Sequence, residues 1–98
     1  FPSKEINPSL YRARRLAKYI MKNEILLSLD LTDNQIGYDG SRFLAQALKM
    51  NKTLQRLNLK LNNIKDKGGS KFFKDLIENE TLIELNMAAN TLGVQVNF

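Results

Sequence analysis

Residues 51–64 read NKTLQRLNLKLNNI, and two patterns overlap there. Asn51-Lys52-Thr53 is an N-glycosylation triplet. Behind it, Leu54, Leu57, Leu59 and Ile64 fall at regular intervals, with Asn62 among them. Alternate residues of a short strand point to one side and the residues between them to the other. Leu57 and Leu59 therefore face inward together, while Arg56, Asn58 and Lys60 face outward. The stretch predicts a strand with one apolar side and a turn at Asn62.

The pattern recurs with a period of 28. Leu26, Leu29, Leu31, Asn34 and Ile36 return as Leu54, Leu57, Leu59, Asn62 and Ile64, then as Leu82, Leu85, Met87, Asn90 and Leu92. Gly40 returns as Gly68, Leu44 as Phe72, Leu48 as Leu76, and Asn51 as Asn79. After Gly40, Phe43, Leu44, Ala47 and Leu48 stand at helical spacing, as do Phe72, Phe73, Leu76 and Ile77 after Gly68. Each unit thus predicts strand, loop, helix and return. Stacked units align their strands in a parallel sheet and their helices in an outer layer.

The polar positions of the repeat have structural duties. Asn34, Asn62 and Asn90 sit where the chain leaves each strand, and a buried amide there satisfies backbone groups that the bend leaves unpaired. A structural asparagine ladder is expected. Asn51 and Asn79 end the two helices, where asparagine readily takes the left-handed conformation of a C-terminal cap. Both N-x-T triplets are then by-products of the turn, and glycosylation is not expected.

L-x-x-L-x-L-x-x-N-x-I/L resembles the leucine-rich repeat. The 28-residue period, with a helix after the glycine, is similar to the ribonuclease-inhibitor-like subclass. The resemblance runs from about Leu10 onward: a partial repeat at 8–25, full repeats at 26–53 and 54–81, and a partial repeat at 82–98. It implies an α/β solenoid segment with parallel strands on the concave side and helices on the convex side. The stretch LNLKLNNIKDKGG looks most like cytoskeletal and ciliary members, the tropomodulins and the leucine-rich-repeat subunits of the axonemal nexin–dynein regulatory complex. That resemblance implies a protein–protein interaction scaffold inside a large assembly, in the cytoplasm, on the cytoskeleton or in the ciliary axoneme. Actin-capping and innate-immune members are the rivals within the family.

The ends depart from the pattern. Arg12 stands where the helix glycine belongs, Asn7-Pro8 predicts a helix cap with proline at the first helical position, and Val96 replaces the next glycine. These departures suggest a slice of a longer solenoid.

Composition narrows the function. The chain of 98 residues has neither Cys nor His, which removes disulfides, thiolate metal sites and imidazole catalysis. No apolar run reaches the ~20 residues of a membrane span, and the N-terminus lacks the apolar centre of a signal peptide. The carboxylates Asp30, Asp33, Asp66, Asp75, Glu78 and Glu84 spread over different faces, and Gly68-Gly69 lacks the rest of a phosphate-binding loop. No enzyme activity, metal or cofactor is expected.

Two surfaces are candidates for binding. On the concave face the outward residues are Asp30, Asp33, Arg56, Asn58, Lys60, Leu61, Glu84 and Asn86. The register sets Arg56 beside Glu84 as a surface ion pair. Leu61, an exposed leucine between Asp33 and Ala89, reads as an ordinary surface apolar residue or, alternatively, as the anchor for a protein partner. The other candidate is the first helix, because the net charge of +5 is concentrated there: residues 1–23 hold six basic groups and one acid. Leu10, Ala13, Leu16, Ala17, Ile20 and Met21 form its apolar stripe. Arg12, Arg14, Arg15, Lys18 and Lys22, with Tyr11 and Tyr19, cover the rest and suit an anionic polymer. An acidic protein tail fits better than nucleic acid, for which no dedicated motif is present.

Overall fold

A computed structural model describes residues 8–90. Six elements alternate: α1 (Pro8–Lys22), β1 (Ser28–Asp30), α2 (Gly37–Met50), β2 (Arg56–Asn58), α3 (Asp66–Leu76) and β3 (Glu84–Asn86). The strands form one parallel sheet in the order β1-β2-β3. Ser28 pairs with Arg56 and Arg56 with Glu84, so the register steps by one period from turn to turn. Backbone bonds carry the pairing past the short strands, from Leu31 N to Asn58 O (2.8 Å), Asp33 N to Lys60 O (2.9 Å) and Leu59 N to Asn86 O (2.8 Å).

The core lies between sheet and helices. Ile20, Leu44, Leu48, Leu54, Leu57, Leu59, Ile64 and Phe72 are all at most 2% exposed. Leu54 and Leu57 of the middle turn are buried, while their equivalents Leu26, Leu29, Leu82 and Leu85 are only partly so. Two expected apolar positions turn outward: Met21 is exposed on α1, and Ile77 lies just past the end of α3 and is exposed. Both occupy the register of Lys49, itself exposed on α2.

The helices start before the glycines that mark them in the sequence. Gly40 and Gly68 lie inside α2 and α3 and serve close packing. A Cβ on Gly40 would sit 2.8 Å from Ile36 Cγ2 and 3.1 Å from Ala13 Cβ; on Gly68 it would sit 3.1 Å from Ile64 Cγ2 and 3.2 Å from Tyr38 Cδ1. Neither α2 nor α3 has a side-chain cap on its first turn from its own N-cap residue. The next turn of the solenoid instead ties down the chain that leads into each helix. Asn62 Oδ1 accepts from Asn34 N (2.8 Å) and Ile36 N (3.3 Å), and Asn62 O accepts from Gly37 N (2.8 Å). Asn90 repeats this for Asn62 N, Ile64 N and Lys65 N.

The ladder differs from expectation in two ways. Asn62 and Asn90 are buried and donate back to Leu31 O and Leu59 O, both at 2.8 Å. Asn34 is exposed and donates to Thr32 O of its own turn (3.0 Å). Moreover, Asn51 is not a left-handed cap: its backbone is extended, with φ −81° and ψ 132°. Its amide spans a second ladder, donating to Ile20 O (2.8 Å) and Asn23 O (3.1 Å) while accepting from Thr53 N and Leu54 N. Asn79 does likewise with Leu48 O, Thr81 N and Leu82 N. The amide that a sugar would occupy in each N-x-T triplet is thus a bonded donor of the fold. Pro8 is the first residue of α1 as expected; Asn7 and Val96 lie outside the described residues.

Candidate functional site

The strand face is built from columns that run across the three turns. Ser28, Arg56 and Glu84 form one, and Asp30, Asn58 and Asn86 the next. Arg56 and Glu84 are neighbours in register, yet they form no ion pair: the pairs among the described residues are Arg42–Asp39, Lys49–Asp75 and Lys71–Asp75. The second column has an unforeseen structural duty. Asp30 Oδ1 accepts from Thr32 N (2.9 Å), Asn58 Oδ1 from Lys60 N (3.0 Å), and Asn86 Oδ1 from Ala88 N (2.9 Å). Each short side chain folds onto the backbone two residues on and closes the bend. The recurrence of Asp, Asn and Asn in one register was the signal for it. Asp30 also accepts from the Thr32 hydroxyl at 2.6 Å. That hydroxyl, and then the Thr32 N–H, hold the Asp30 carboxyl below its ordinary range.

Past the strands, Asp33, Leu61 and Ala89 all adopt left-handed backbone, with φ of 57°, 60° and 57°. Aspartate visits this region readily, whereas a leucine there costs about 1–2 kcal/mol. Leu61 is 47% exposed. The structure therefore holds a strained leucine in the middle turn, just past the strand face and beside Lys60, where packing does not call for it. Lys60 is exposed with it.

The basic residues occupy the opposite layer. Arg12, Arg14, Arg15, Lys18 and Lys22 are all exposed on α1, so the two candidate surfaces do not merge. Arg14 stacks over Phe43 of α2, 5.5 Å from the ring centroid, and Arg15 over Tyr11 at 5.8 Å. Phe43, expected in the core, is half-buried and forms part of this outer surface. Sequence reasoning also missed Tyr38, which carries Arg42 at 6.0 Å and Lys67 at 5.7 Å. Among the described residues, no cluster of His, Cys, Asp and Glu is placed to hold a metal, and no helix is long and apolar enough to cross a membrane.

Two stretches of the chain, residues 22–45 and 51–73, match the sequence profile of the Leucine Rich repeat family. Each spans one strand, the bend with its asparagine, and the first part of the helix behind it. The fold is a leucine-rich-repeat solenoid. Among solved structures, leiomodin-1 actin-binding site 2 (ABS2) superposes on this leucine-rich-repeat segment with a TM-score of 0.73 and 30% sequence identity. The match covers 87% of this chain and 50% of that one, so the segment spans half the length of its structural relative. No curated protein matches it significantly. The repeats and this likeness mark the segment as a protein-interaction module.

Proposed function

We propose that the segment is a non-enzymatic scaffold whose strand face docks a protein partner within a cytoskeletal assembly. The observation that carries this reading is Leu61, half-exposed and conformationally uphill in the middle turn, at the exit of that face. The bend imposes left-handed backbone on Asp33, Leu61 and Ala89 alike, so what singles out Leu61 is a large apolar side chain left exposed there, a group that an interface can bury. Asp33 and Lys60 flank the anchor with charge, Arg56 and Glu84 stand at the far end of the strands, and Asp30, Asn58 and Asn86 fix the bend before it. The likeness to an actin-binding site supports the cytoskeletal setting. The motif LNLKLNNIKDKGG supports an axonemal subunit within that setting.

Co-sedimentation tests the reading. The chain is expected to pellet with actin filaments or with axonemal doublet microtubules, and Leu61→Asn to abolish the pelleting without loss of fold. Failure to pellet with either polymer would remove the cytoskeletal setting. Pelleting that Leu61→Asn leaves untouched would remove the strand face.

A further inference from the structure

Between α1 and α2, on the helix side, runs an open groove of about 850 Å³. Arg14, Arg15, Lys18 and Lys22 line it together with Tyr11, Tyr19 and Phe43, and no carboxylate among the described residues lines it. No ion pair among the described residues involves any of those four cations. Arg14, Lys18 and Lys22 stand four residues apart on one ridge of α1, a spacing at which like charges repel and weaken a helix. Arg14 is held over Phe43 and Lys22 lies in the last turn of α1, but neither contact neutralises the row. The row costs least when an anion lies along it.

The spacing selects the anion. Successive positions on the ridge are separated by about 6 Å of helix rise. Alternate side chains of an extended peptide are separated by about 6.6 Å on one face. A chain with acidic residues at every second position therefore meets Arg14, Lys18 and Lys22 in step. Guanidinium groups suit carboxylates because they bind them with two parallel hydrogen bonds. The aromatic rings offer little to nucleic acid: single strands stack successive bases on open ring faces, and here Arg14 lies over Phe43 and Arg15 over Tyr11, which leaves Tyr19 as the open ring of the groove.

We propose that this groove is a second interaction site, independent of the strand face, which binds an extended acidic segment of a partner protein along α1. Three labelled probes test it: the ten-residue peptide (Glu-Gly)5, its (Gln-Gly)5 counterpart, and a ten-nucleotide oligothymidine. At low salt the Glu peptide binds and the Gln peptide does not, and the affinity falls steeply as salt is raised. Arg14→Gln/Lys18→Gln weakens the Glu peptide by about tenfold or more, while Lys67→Gln/Lys71→Gln on α3 changes it by less than about twofold. Should the first pair lower the melting temperature, Arg15→Gln/Lys22→Gln serves in its place. The proposal is overturned if the Glu peptide does not bind, or if both helix pairs weaken it equally, which would indicate general charge attraction. It is also overturned if oligothymidine binds as tightly as the Glu peptide, which would make the groove a nucleic-acid site.

Discussion

The side-chain amide of Asn51 donates to the carbonyl of Ile20, 31 residues earlier in the chain, at 2.8 Å. Both ends of the Asn51 amide are in use, and the residue is 4% exposed. Asn51→Ala leaves the N–H groups of Thr53 and Leu54 without their acceptor, each worth about 1–3 kcal/mol when unpaired, and leaves Ile20 O and Asn23 O with only long bonds, from Asn23 N (3.3 Å) and the Thr53 hydroxyl (3.4 Å). A loss of at least about 3 kcal/mol is expected in urea unfolding. Asn51→Asp keeps the acceptor but turns an oxygen toward Ile20 O and Asn23 O, and is expected to cost as much or more. If Asn51→Asp unfolds like the parent, the bonds to Ile20 and Asn23 contribute nothing.

Leu59 and Leu61 are expected to respond in opposite directions. Leu59 is fully buried, and Leu59→Asp places an unpaired charge in the core, which unfolds the segment. Leu61→Asn relieves a left-handed leucine, so melting is expected to stay within about 0.5 kcal/mol of the parent or to improve. Its affinity for a partner recovered by pull-down is expected to fall by at least about 2 kcal/mol. A melting curve and a binding isotherm on each variant decide the matter.

Alanine normally strengthens a helix relative to glycine by about 1 kcal/mol. Gly40→Ala is expected to do the reverse. The new methyl meets the stiff, buried Ile36 at 2.8 Å and Ala13 at 3.1 Å, and overpacking of this kind costs about 1–3 kcal/mol. Gly68→Ala has its closest approach at 3.1 Å and is expected to cost less. The order of the two melting temperatures is the check.

The Asp30 carboxyl, held low by Thr32, is expected to titrate below an ordinary aspartate in an NMR titration. Thr32→Val removes the hydroxyl donor and keeps the backbone one, so the midpoint is expected to rise toward the ordinary value. A depressed folded-state pKa stabilises above the unfolded pKa, and that contribution fades as pH falls through the folded one. The variant should therefore lose part of this acid sensitivity. An unmoved midpoint would show that the backbone N–H alone sets it.

How much of this was legible depended on the range of each signal. Leu57 and Leu59 announce the strand and its inward side through their own alternation, and the recurrence of Asn34, Asn62 and Asn90 announces one ladder. Asn51 and Asn79 recur just as regularly. They read as local caps because their carbonyl partners lie a full turn of solenoid away. Nothing in Leu61 signals left-handed backbone, although Asp33 in the same register hints at it. Arg14 and Phe43 each read as an ordinary position of its own helix. Only the packing of α1 against α2 brings them together into a groove wall.

Both asparagine ladders point the same way along the chain. Asn62 serves Leu31, Asn34 and Ile36, and Asn90 serves Leu59, Asn62 and Ile64. Asn51 and Asn79 reach back to Ile20 and Leu48. Each turn is thus completed by groups that arrive about one period later. During synthesis, where the N-terminal side emerges first, a turn clear of the ribosome still has unpaired amides at its bend until its successor follows. The solenoid accordingly closes in the order in which it is translated, each new coil locking the one before it.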